Sequence, residues 1–150
     1  MTGFHIGLGI AVIALFLVAG LLGAWRWYRV EVSEGFWKLL RAAQALLVAE
    51  VAVGGVLLAL GDRPAGDLHY VYGLLGLGVS FVAEQLRIAA AETVLEARGL
   101  ESAQAVGALS TAEQRSVVRA IVRRELGVMT AAALVIVGLT LRAALGSQGV

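Results

Sequence analysis

Long, mostly apolar runs, recurring four times within 150 residues, constrain this chain more than any other feature. A bilayer core about 30 Å thick is crossed by about 20 mostly apolar helical residues, because lipid offers backbone N–H and C=O groups no other partners. The runs lie at about 4–24, 39–60, 68–90 and 124–145, and each is long enough. Hydrophobic residues make up 59% of the chain and charged residues 15%, where soluble domains carry about 25% charged. That balance excludes an ordinary soluble enzyme domain and a disordered tail. A net charge of +1 gives no basic footprint for nucleic acid.

The ends of the runs carry their own signals. The first closes on Trp25, Arg26, Trp27, Tyr28 and Arg29, an aromatic and basic cluster suited to the headgroup layer. Ser33 is placed to cap the second helix, with Trp37 and Lys38 at the interface and Gly61, Asp62, Arg63 and Pro64 as the turn that stops it. The third helix is expected to run past its apolar part to Arg98, with Gly99 as its stop. Ser110, Thr111, Ala112 and Glu113 match a capping box, so the fourth helix starts there and runs to Ala144. Such a helix is about 50 Å long, more than a crossing needs. Its first turns carry Arg115, Arg119, Arg123 and Arg124, which places a helical hairpin over about 91–123 outside the hydrocarbon.

With the N-terminus outside, only Arg63 and Arg142 of the 12 basic residues face out, a strong positive-inside signal. Both termini are then extracytoplasmic in a bacterial-type inner membrane. The first run has no basic segment before it and no small-residue cleavage site after it, so it reads as a span rather than a removable signal. The fold expected is all-α, a four-helix antiparallel membrane bundle with a cytoplasmic helical extension, forming one domain.

Cysteine is absent, which leaves oxygen and imidazole as ligands. His5 opens the first span and His69 opens the third, on the same outer side. Each is followed four residues on by glycine, Gly9 and Gly73, leaving a bare patch one turn deeper on the same face. That is the room a flat macrocycle needs, and two imidazoles are the axial ligands of a b-type haem. The third helix continues the stripe through Gly76, Ser80, Glu84 and Arg87, and the first through Phe16, Gly20 and Gly23. An outer copper or zinc site is an alternative, adding Asp67 or the amino terminus to the imidazoles.

Glu50 falls near the middle of the second run, where an ionisable group is a functional candidate for protons, a quinone hydroxyl or a polar substrate. The structural alternative is a neutral carboxyl bonded to Gln44, Ser80 or Thr140. Glu84 and Arg87, three apart, are expected to form an ion pair. Trp25, Trp27 and Trp37 read as an interfacial belt, and the arginines of the fourth helix as a headgroup-facing surface.

The stretch Gly61, Asp62, Arg63, Pro64, Ala65, Gly66, Asp67, Leu68, His69, Tyr70, Val71, Tyr72, Gly73 is similar to a G-x-R-P turn followed by L-H-x-x-Y-G in small four-span bacterial membrane proteins. That resemblance implies an architecture and no activity. Histidines opening helices of a four-helix bundle also resemble, more distantly, membrane haem-b proteins and haem-modifying synthases, which implies haem b held by His5 and His69. Those families commonly carry histidines on both membrane sides. This chain has none near the cytoplasmic face, which argues against transmembrane electron transfer by one protomer.

Three functions follow as expectations. The first is an electron-transfer or haem-handling subunit, in a homo-oligomer or a larger membrane complex. The second is a cofactor-free scaffold or accessory subunit, and the third an oligomeric small transporter using Glu50.

Overall fold

A computed structural model describes residues 2–63 and 66–146. Pro64 and Ala65 of the expected turn, and the amino terminus at Met1, lie outside the described residues. Among the described residues there are five helices and no strand: α1 (Thr2–Arg29), α2 (Glu34–Ala59), α3 (Leu68–Glu96), the short α4 (Ala103–Gly107) and α5 (Thr111–Gly146). All but α4 are long and apolar enough to cross a membrane.

The helix starts follow local chemistry. Ser33 Oγ accepts the Phe36 N–H at 3.2 Å, satisfying one of the unpaired donors of the first turn of α2. At α5 the box is reciprocal. Ser110 Oγ accepts the Glu113 N–H at 3.4 Å, while the Ser110 N–H and O–H donate to the Glu113 carboxylate at 3.0 and 2.6 Å. These two donors hold the Glu113 carboxyl below its ordinary range.

Three helices end with the same paired bonds, in which the two residues after the helix return N–H groups to its last turn. Gly61 closes α2 and Gly99 closes α3, with φ of 90° and 66°, and Asp62 and Leu100 donate back to Leu57 and Leu95. The expected end at Arg98 is thus the closing turn of a helix that finishes at Glu96. At the end of α1, Val30 takes the left-handed position with φ of 52°, and Glu31 donates to Arg26 O at 3.1 Å. A branched residue there costs about 1–2 kcal/mol relative to its right-handed state. The Arg26–Glu31 ion pair, 2.6 Å, spans the turn and offsets part of that.

α1 packs on α2 and α5, α3 packs along α5, and α2 touches α3 only sparingly. Their shared core contains Val12, Phe16, Phe36, Leu40, Leu47, Leu126, Met129 and Ile136, each essentially without solvent exposure. Gly23 permits the closest approach, since a Cβ there would meet the Phe36 ring at 2.6 Å and also strike the Thr130 hydroxyl. The opposite faces are apolar too: Phe4, Ile6, Ile10, Leu21, Phe81 and Ile88 all lie exposed on the outside.

Candidate functional site

Polar side chains inside this apolar assembly gather at two ends. At the end formed by the start of α1, the end of α2, the start of α3 and the end of α5, the two histidines meet. Their ring centres are 5.9 Å apart with an interplanar angle of 74°. His5 comes from α1 and His69 from α3, 64 residues later in the chain.

His69 Nδ1 lies 3.1 Å from the Ala143 carbonyl oxygen in the last turn of α5, where carbonyls lose their intrahelical partners. A carbonyl only accepts, so Nδ1 is the donor in this contact. His5 Nδ1 lies 3.2 Å from Glu50 Oε1, and each of these side chains is 16% exposed. The pair is close without hydrogen-bond alignment: His5 Nδ1 and Glu50 Oε2 are both buried without a partner, as is the Tyr70 hydroxyl at the same end.

Glu50 departs from the partners expected of it. Gln44 bonds Ser80 and Glu84, and Thr140 bonds backbone carbonyls of its own helix. The α1–α2 packing instead turns Glu50 toward the first helix, where its Oε1 sits 3.0 Å from where a Cβ on Gly9 would be. The bare patch at Gly9 therefore admits a carboxylate of this chain. Gly73 is different, with open space above it. Gly54 makes the close approach that the sequence did not mark, lying against the His5 ring.

The second cluster lies toward the other end of α2 and α3. Arg41 grips Glu84 with both guanidinium nitrogens at 2.5 and 3.1 Å, and Arg87 adds a third bond at 2.9 Å. Gln44 donates to both Ser80 and Glu84. The Glu84–Arg87 pair expected from spacing is present, but Arg41, from another helix, is the partner that spacing within α3 could not reveal. Arg87 also lies over the Trp37 ring. Every oxygen of Glu84 is used.

The donor set at the histidine end distinguishes among cofactors. A bare zinc or copper ion takes three or four protein ligands. Among the described residues no group of three or more His, Cys, Asp or Glu is arranged to hold one, and Asp67 is exposed. Haem iron takes its equatorial nitrogens from the macrocycle and needs only two axial imidazoles. The two imidazoles meet edge-on at 5.9 Å with open space over Gly73, while the Cε1–Nε2 edge of His5 rests against Gly54 of α2. No protein family, curated protein or solved structure matches the chain.

Proposed function

We propose that this is an integral membrane protein, a four-helix antiparallel bundle with both termini on the outer face, that holds one b-type haem between His5 and His69. The outward apolar faces of α1 and α3 support insertion, because water-exposed patches of that extent are rare in soluble monomers. The distribution of basic residues supports the orientation. The first turns of α5, with α4 and the end of α3, form the cytoplasmic extension.

The observation that carries the haem reading is the meeting of two imidazoles from distant segments, each with Nδ1 beside an oxygen. Ligating histidines are oriented in this way: the anchored Nδ1–H fixes the tautomer, turns Nε2 to the metal and raises its basicity. Ala143 O does this for His69. Glu50, beside His5, can do it with a carboxylate, which raises the donor strength of His5 above that of His69. When bound, the haem supplies one-electron chemistry whose potential the axial ligands and burial tune.

The test is a visible spectrum of the detergent-solubilised protein after haem-supplemented expression. A Soret band that shifts on reduction and is lost in His5→Ala and in His69→Ala is the expected result; a colourless protein rejects the reading. Because the chain has no cysteine, Asp67→Cys and Ser102→Cys test topology directly. An impermeant maleimide should label the first in intact cells and the second only after permeabilisation.

A cofactor-free accessory subunit is the second reading, favoured by Gly7, Gly55, Gly78 and Gly138, which leave open space on the helix surfaces. Such positions let another transmembrane helix approach closely. A single oligomeric state without pigment supports it.

A further inference from the structure

Where the end of α1 meets the first turns of α5, Arg29, Val30, Arg119, Ala120 and Arg123 line an open cavity of about 450 Å³. Three of the five lining residues are arginines and none is acidic. We propose that this cavity binds the phosphate group of an anionic membrane lipid.

Like charges converging on one concavity repel, and the arrangement becomes favourable when an anion occupies it. The neighbouring acid offsets only one of the three charges. Glu31 is shared between Arg26 and Arg29, at 2.6 and 3.1 Å, while among the described residues no acid pairs with Arg119 or with Arg123, whose partner is the Trp27 ring. Two of the guanidiniums are held in place by aromatic rings. Arg123 lies over Trp27 at 5.6 Å and Arg29 over Trp25 at 5.7 Å. Trp27 in turn lies against the α5 backbone at Gly127, where a Cβ would come within 2.9 Å of its Nε1. The left-handed Val30 supplies the remaining wall. Arg29 spends Nε and Nη2 on Glu31, whereas stacking on Trp27 leaves the N–H edge of Arg123 free, and that planar fork suits phosphate oxygens.

The choice of a lipid as the source rests on the membrane reading above, in which Trp25, Trp27 and Tyr28 mark the headgroup layer on the cytoplasmic side. A failure of that reading appears in the cysteine labelling; a failure of this one appears in the arginine variants.

The experiment titrates short-chain phosphatidylglycerol into the solubilised full-length protein and follows tryptophan emission, since Trp27 touches a lining arginine. Phosphatidylcholine of the same chain length and sodium phosphate are run in parallel. Saturable binding of phosphatidylglycerol alone is expected, with affinity falling about fivefold for Arg119→Gln and again for Arg123→Gln. Arg124→Gln, on the same helix outside the lining, should change it little. Equal response to phosphatidylcholine overturns the proposal, as does an equal loss in Arg124→Gln. If sodium phosphate saturates the site at the same concentration, the ligand is a soluble phosphate and the lipid source is overturned. Should the variants misfold, the unmodified protein still decides: binding must weaken as salt rises from about 50 to 300 mM, and salt-independent binding overturns the assignment.

Discussion

The two polar clusters of this protein have similar ingredients and opposite bookkeeping. Around Glu84 every carboxylate oxygen has a donor, supplied by Arg41, Gln44 and Arg87 from two helices. Around Glu50 one oxygen is buried without a partner, and the nearest nitrogen, His5 Nδ1, is close but misaligned. A saturated network stabilises the seam between α2 and α3, which otherwise scarcely touch. An unsaturated one has donors and acceptors to offer something else.

That contrast predicts unequal effects on altering the two glutamates. Glu84→Ala leaves two arginines facing each other and should lower stability by about 2 kcal/mol, below the cost of breaking a fully buried pair because Arg41 is half exposed. Thermal unfolding in detergent measures this. Glu50→Gln preserves shape and removes no aligned bond, so its effect on the same melt should stay within about 0.5 kcal/mol. The same substitution should shift the Soret band of the pigmented protein; an unchanged spectrum detaches Glu50 from the site. Equal melting shifts for the two variants erase the distinction between the clusters.

Smaller effects sharpen it by measuring the frame that carries both ends. Val30→Gly removes the strain of a branched residue in a left-handed turn and should raise stability by about 1 kcal/mol in the same thermal melt. The smallest effect is that of acid on the α5 cap. The Glu113 carboxyl titrates lower when folded than unfolded, so its contribution is full above the unfolded value and fades as pH falls through the folded one. Ser110→Ala should flatten that acid-limb dependence in a pH series of melts.

The four long helices were legible because the 20-residue apolar run is a local signal with a single physical cause, and the caps at Ser33 and Ser110 and the stops at Gly61 and Gly99 are equally local. Val30 was not legible, since nothing about valine announces a left-handed turn; the signal, seen afterwards, is Arg26 and Glu31 set five apart across it. The gathering of His5 with His69 was expected from placing each at the start of its helix, on the same outer side. Partner choice for Glu50 and Glu84 did not follow, because it depends on how far each helix is rotated about its axis. That rotation is set by Phe36, Leu40, Ala43 and Leu47 turning one face of α2 inward, which leaves Glu50 beside α1 and Arg41 beside α3. A stripe shared by Arg41 and Gln44 on α2 with Ser80 and Glu84 on α3 was the available hint.

One uninterrupted helix joins the features that matter here. α5 bears Arg119 and Arg123 near its start and the carbonyl of Ala143 that anchors His69 near its finish, about 36 Å apart along the axis from Arg119 to Ala143. No proline interrupts it, so the arginine cavity and the anchor of His69 are built on one continuous helix, and the distance between them is fixed by its rise of about 1.5 Å per residue.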